Sequence, residues 1–188
     1  MKAIVMTNNS PGETDAAWCF ISDSAVSNTG KPFYLPDHLG PTEACLTVAL
    51  KISRLGKGID KKFAPRYYQE IAPAIHFRLP EYKQLLMQRG LPADPSFNFD
   101  RSLVVGDFLP FSPDFEVELW SNGVKISTFN LDSPGFRVDA CIEAVSRLNT
   151  LKMGDLLLPG LSEGLLIKEG DLLEVKIGGQ RIFPVKVK

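Results

Sequence analysis

The chain has 188 residues, 44% of them apolar and 23% charged, with 21 basic against 22 acidic side chains and a net charge of −1. These are the values of an ordinary folded domain, which excludes a disordered or coiled-coil chain and gives no electrostatic reason to bind nucleic acid or an anionic membrane. A domain of this length buries about 70% of the surface its unfolded form exposes, so its core needs neither disulfide nor metal.

Residues 2–6 predict a short buried strand and residues 18–21 a second, divided by the turn-rich Asn8-Asn9-Ser10-Pro11-Gly12. The first apolar residues turn polar at Thr7-Asn8-Asn9, so a signal-peptide core is not expected, and no apolar run is long enough to cross a bilayer. Cys19, Cys45 and Cys141 are odd in number and lack CxxC spacing, which reads as free thiols in a cytoplasmic protein. Residues 45–52 alternate and are rich in Val, Leu and Ile, as a sheet strand is. Asp60 opens a stretch whose Tyr67, Tyr68 and Ile71 recur near the helical period, a helix expected to end at Pro73. Residues 80–89 predict a second helix, with proline in its first turn, Leu85 and Leu86 inward and Gly90 as its stop.

Beyond Pro92 and Pro95 the pattern turns to strands. Residues 115–120 alternate cleanly, Asn122-Gly123 makes a hairpin turn, and residues 124–129 return. Residues 141–148 predict a short amphipathic helix with Ile142, Val145 and Leu148 on its apolar face. Three strands close the chain, at 156–158, 172–177 and 182–187, the last two joined by Gly178-Gly179. The expectation is one β-rich α+β domain over residues 1–188.

The tail carries a recognisable order: Gly154-Asp155, then Pro159-Gly160-Leu161-Ser162-Glu163-Gly164, then Gly170-Asp171. It resembles the end of the fumarylacetoacetate hydrolase family, where a Gly-Asp turn, a Gly-Thr-Pro-x-Gly loop and a second Gly-Asp turn follow at this spacing. Upstream, Phe99-Asp100 followed by Gly106 resembles that family's Phe-Asp-Gly loop, and Asn122-Gly123 its hairpin; residues 31–37, 51–57 and 63–68 are similar to its short bacterial members. The resemblance runs from about residue 18 to the C-terminus. It implies a mixed β-sandwich or β-roll with a few short helices, and a homodimer.

It also implies a chemistry. Family members cleave, decarboxylate or isomerise small oxo-acids with a 1,3-dioxygen pattern, using Mg²⁺ or Mn²⁺ as a Lewis acid for the enolate. Such ions want several carboxylate oxygens. The family supplies a Glu-x-Glu pair on one strand face and a later Asp. By that resemblance the metal positions fall here on Glu43, Cys45 and His76, so three carboxylates have become one. The family's two lysines fall at Ile21 and Phe97, its loop threonine at Leu161, and its Arg-Asp at Pro80-Glu81. Its His-x-x-Glu dyad falls on residues 8–13, which hold no histidine; the chain has two, His38 and His76.

Asp100, Gly106, Gly160 and Leu161 remain as pocket candidates, although Asp100 more readily caps its own turn. Glu43, Cys45 and His76 are acceptable Zn²⁺ ligands, yet a free cysteine is more often a small buried hydrophobe. His38 reads as a loop residue, and the basic residues Lys31, Lys51, Arg54, Lys57, Lys61 and Lys62 as a solvated face, with phosphate binding the lesser alternative. The expectation is a family protein that keeps the fold and has lost the divalent-metal site and catalysis. It would be a binding or scaffolding homodimer without a cofactor, with a small oxo-acid as candidate ligand and no nucleic-acid or membrane partner. The alternative is an active hydrolase, decarboxylase or isomerase of oxo-acids using a changed metal site, with Zn²⁺ at Glu43, Cys45 and His76. For the relic site, His76 is expected to hydrogen-bond Glu43, and the two Gly-Asp turns to terminate elements beside the sheet core.

Overall fold

Short apolar runs punctuated by glycine, proline and asparagine break this chain into many extended elements. The computed structural model describes residues 1–8, 17–131 and 137–188. Its elements are β1 (Lys2–Asn8), β2 (Ala17–Ser22), β3 (Val26–Asn28), β4 (Thr42–Ile52), β5 (Tyr68–Arg78), α1 (Pro80–Gln88), β6 (Leu103–Val105), β7 (Leu109–Pro110), β8 (Glu116–Ser121), β9 (Val124–Asn130), α2 (Val138–Leu148), β10 (Leu156–Leu158), β11 (Leu165–Ile167), β12 (Leu172–Ile177) and β13 (Gln180–Lys186). This is a β-rich α+β fold.

The larger sheet runs β2-β1-β10-β4-β5-β6-β3, with β11 added beside β4 and β7 beside β5. It is mixed, because β1 pairs with β10 and β3 with β6 in parallel. The smaller sheet, β13-β12-β8-β9, is antiparallel. Between them lies the main core, where Leu46, Val48 and Leu50 of β4 and Ile75 and Phe77 of β5 meet Val117, Leu119, Leu173 and Val175 of the smaller sheet and Ile142 and Val145 of α2. The opposite face of the larger sheet carries a second cluster that includes Ala49, Ala72, Ala74, Val5 and Leu158. With both faces covered, β4 reads as an almost unbroken apolar run.

The helix expected from Asp60 to Pro73 does not exist. A 3-10 turn, Lys61–Arg66, runs into the long strand β5. The pairing shows why the periodicity misleads. Lys51 faces Glu70 and Ile52 faces Tyr68, so Gln69 is an extra residue, a β-bulge. The bulge puts Tyr68 and Ile71 into the same core from a strand, at a spacing of three that imitates a helix. Pro73 does not end the element. Its carbonyl accepts the Gly106 N–H at 2.8 Å, and on a strand a residue's nitrogen points the same way as its oxygen. The ring nitrogen therefore faces the gap between β6 and β7, where no ladder bond needs a donor.

Other elements form for the reasons their sequences suggest. Pro80 opens α1 and Gly90, at φ +67°, follows its end. Asn122 and Gly123 both have positive φ, the conformation of a tight two-residue hairpin. Two expected inward residues lie at the surface: Leu85, because α1 buries only Leu86 on that side, and Leu148, 74% exposed on the last turn of α2.

The Gly-Asp turns lead into strands, β10 and β12, instead of terminating an element. Asp155 accepts the Lys152 N–H at 2.9 Å and Asp171 the Lys168 N–H at 3.0 Å, each from three residues back. The same carboxylates reach further. Asp155 takes the Lys2 N–H at 3.1 Å and pairs with the Lys2 ammonium, fastening β1. Asp171 takes the Asn122 amide at 3.0 Å, fastening the β8–β9 hairpin to β12.

Candidate functional site

The antiparallel register of β4 and β5 sets Glu43 opposite Arg78 and Cys45 opposite His76. Residues two apart on a strand point the same way, so these four side chains form a square on the face turned from the main core, to which Ala44 and Phe77 belong. Just beyond β5, Pro80, Lys83, Gln84 and Met87 recur at helical spacing along one side of α1. They line, with Glu43, His76 and Arg78, a cavity of about 670 Å³. Phe97 and the Gly160-Leu161-Ser162 loop form other parts of its wall.

That loop is tied to β4. Thr47 Oγ1 donates to the Gly160 carbonyl at 2.6 Å, Ser162 N–H to the Leu46 carbonyl at 2.8 Å, and Leu46 N–H to Ser162 Oγ at 2.8 Å. Gly164 lies against Glu43, and a Cβ there would stand 2.6 Å from Oε2.

Arg78 Nη2 donates to Glu43 Oε2 at 3.1 Å. His76, 1% exposed, has Nε2 3.0 Å from the Phe97 carbonyl oxygen. A carbonyl only accepts, so this network assigns the proton to Nε2 and leaves Nδ1 as a bare lone pair. Among the described residues Nδ1 has no partner, and neither does Arg78 Nε. Burial holds the imidazole pKa down at about 4, more than the Phe97 bond offsets. Burial likewise pushes the Cys45 thiol up to about 11 despite the nearby Arg78 guanidinium, and the Cys19 thiol, also on the cavity wall, to about 11. Beside the Glu43–Arg78 ion pair the square therefore holds, at neutral pH, a neutral imidazole and a protonated thiol.

The structure brings Glu43, Cys45 and His76 to neighbouring positions, with Glu43 and Cys45 on one face. The expected His76–Glu43 hydrogen bond is absent. Glu43 faces Arg78, which offers it a charged donor, while the imidazole proton is spent on Phe97. Gly160 and Leu161 line the cavity, as do Phe97 and Pro80. Asp100 and Gly106 do not. Asp100 is exposed in a turn closed by the Ser102 N–H to the Phe99 carbonyl. Gly106 is a packing position, where a Cβ would meet Phe183 Cε1 at 2.9 Å and Pro73 Cγ at 3.0 Å. Of the stretch expected to correspond to the His-x-x-Glu dyad, residues 9–13 lie outside the described residues. Sequence reasoning missed Arg78 and Lys83. Arg78 lies two residues beyond His76, a spacing that signals a shared face only once β5 is known to be a strand.

The donor set does not fit Mg²⁺ or Mn²⁺. Among the described residues it offers one carboxylate, already compensated by a guanidinium, where such ions need several anionic oxygens. A Zn²⁺ ion there would have to draw Glu43 away from Arg78. Among the described residues no three His, Cys, Asp or Glu side chains are grouped to hold a metal ion. No helix among them is long and apolar enough to cross a membrane.

Comparison with known proteins gives relatives of several activities. The chain is 27% identical over 171 residues to the mouse (Mus musculus) protein "Oxaloacetate tautomerase FAHD1, mitochondrial", covering 88% of this chain and 77% of that protein. It is 26% identical over 164 residues to the Dictyostelium discoideum "Oxaloacetate decarboxylase, mitochondrial", covering 84% and 75%. Among solved structures, fumarylpyruvate hydrolase from Pseudomonas aeruginosa in complex with Mn²⁺ and pyruvate superposes with a TM-score of 0.87 at 18% identity, over 99% of this chain and 88% of that one. The 2-hydroxyhepta-2,4-diene-1,7-dioate isomerase from Mycobacterium marinum gives 0.86 at 20% identity, over 99% and 73%. At these identities the superpositions establish the fold. The sequence itself matches the description "Fumarylacetoacetate (FAA) hydrolase C-terminal" over residues 14–187, and with the order of turns and loops above this settles the question of kinship: the chain belongs to the fumarylacetoacetate hydrolase family.

Proposed function

We propose that the cavity binds a small carboxylate without a divalent metal, and that this chain is a binding member of its family instead of a metal-dependent hydrolase, decarboxylase or isomerase. The observation that carries the reading is the Arg78 guanidinium bonded to Glu43, beside Cys45 and His76. A protein cation pairs there with the one remaining carboxylate. Among the described residues lining the cavity, Arg78, Lys83 and Glu43 are the charged ones, so the wall carries one surplus positive charge. A monoanion is attracted to such a wall with no ion to bridge it. Small oxo-acids are candidates on family grounds, and a homodimer is the proposed assembly.

Calorimetry in EDTA with pyruvate and oxaloacetate tests the reading. Saturable binding is expected, unchanged by added Mg²⁺, with no turnover of oxaloacetate or acylpyruvates above the metal-only background. Micromolar Mg²⁺ or Mn²⁺ binding, or metal-dependent turnover, would overturn it.

A further inference from the structure

We infer that the ligand of this cavity carries a hydrogen-bond donor beside its carboxylate, as a 2-hydroxy acid does and a 2-oxo acid does not. The inference rests on the metal-free carboxylate binding proposed above and adds the chemistry of the neighbouring group. Its source is His76. With the imidazole proton given to the Phe97 carbonyl, Nδ1 presents a lone pair, and this atom is buried without a partner in a ring that lines the cavity. A buried acceptor left unpaired is destabilising, and a group that donates to it recovers that loss. A metal ion would attract an oxygen lone pair from the ligand; a lone pair on His76 repels one.

The second anchor is Arg78, two residues further on the same strand face, whose Nε is a buried donor without a partner. The Cα atoms of two such residues lie about 7 Å apart. A 2-hydroxy acid fits that span: a carboxylate oxygen accepts from Arg78, and the hydroxyl on the adjacent carbon donates to His76 Nδ1. A 2-oxo acid in the same pose sets its carbonyl lone pair against the imidazole lone pair. A 2-amino acid could also donate, but its ammonium is a further charge to desolvate beside Arg78 and Lys83.

The test is calorimetry on the metal-stripped protein with matched pairs, each enantiomer of lactate against pyruvate and of malate against oxaloacetate. The better-bound hydroxy acid is expected to bind at least about tenfold more tightly than its oxo partner, the scale of one hydrogen bond to a buried group. His76→Gln, which can still donate to Phe97 but lacks an acceptor at the Nδ1 position, should bring that ratio to about one; His76→Asn, whose amide oxygen falls near that position, should restore part of it. If the wild type binds oxo acids as tightly as hydroxy acids, or His76→Gln keeps the preference, this inference fails while metal-free carboxylate binding stands. If neither member of a pair binds until a divalent metal is added, both fail.

Discussion

The two Gly-Asp turns and the β4–β5 square both fall where the family resemblance implies acidic residues, at Asp155 and Asp171 and at Glu43, Cys45 and His76, and the two regions use their side chains in opposite ways. At the turns, Asp155 and Asp171 are buried, and each carboxylate satisfies a backbone N–H three residues back and a distant donor, from β1 for Asp155 and from the β8–β9 turn for Asp171. Replacing either aspartate would leave several donors unpaired at once. At the square, the backbone ladder of β4 and β5 is complete whatever side chains it carries, so a thiol and an imidazole sit where the resemblance implies carboxylates, with no cost to the sheet. The acids of the turns are thus tied into the fold, while side chains of the square can change without breaking the ladder that carries them.

The contrast should be plain in stability. Asp155→Ala, at a residue 2% exposed, should cost about 2–4 kcal/mol in urea unfolding, from two backbone donors left unpaired and a broken ion pair. Glu43→Gln should cost no more than about 1 kcal/mol, because the Glu43–Arg78 pair is partly in water. Equal losses at the two sites would break the distinction between them.

His76 supplies the next largest effect, with a definite sign. Its folded pKa, about 4, lies below the unfolded value of 6.5. The unfolded chain therefore takes up the proton first on acidification. The stability this group contributes is present above about pH 6.5 and is lost as pH falls toward 4, up to about 3 kcal/mol in all. Unfolding free energies measured at intervals from pH 7 to pH 4 should show that slope, and His76→Gln should flatten it relative to wild type. A wild-type slope that persists unchanged in the variant would mean that the imidazole is not held neutral by burial.

Arg78→Met should then weaken pyruvate or lactate binding by roughly 10–100-fold, the worth of a hydrogen bond to a charged group, with little change in the melting curve. Titration calorimetry and thermal melts on one preparation separate the two effects. A variant that binds normally would move the carboxylate site away from the square.

How much of this was legible in the sequence follows the same division. The hairpin at Asn122-Gly123, the proline and glycine that bound α1, and the strands of the tail are local matters, and local chemistry announces them. β5 was hidden because a bulge at Gln69 gave strand residues a helical spacing, and because Pro73 occupies a place where no donor is needed. Losing β5 also hid Arg78, since its place beside His76 depends on the period of a strand. Glu43, His76, Gly160 and Leu161 were reachable only through the family resemblance. Nothing local distinguishes them, and the cavity assembles them across more than a hundred residues of chain.

Two glycines give the finest test of the division, because an added Cβ would be crowded at both and the neighbours differ in what they can yield. At Gly106 a methyl would press on the Phe183 ring at 2.9 Å and on the Pro73 ring at 3.0 Å, and neither ring can turn away without disturbing the core or the bend of β5. Gly106→Ala should therefore lower stability by about 1–3 kcal/mol, as overpacking does. At Gly164 the methyl would meet the Glu43 carboxylate at 2.6 Å, the mobile end of a partly exposed side chain that can swing aside. Gly164→Ala should cost under about 1 kcal/mol, but the displaced carboxylate would leave Arg78. With its guanidinium freed, Arg78 should bind added carboxylates more tightly, a gain of a fewfold that titration calorimetry would detect. If instead Gly164→Ala unfolds the protein as readily as Gly106→Ala, the loop and the square belong to the load that the sheet bears, and the separation between fold and site is weaker than the two kinds of acid suggest.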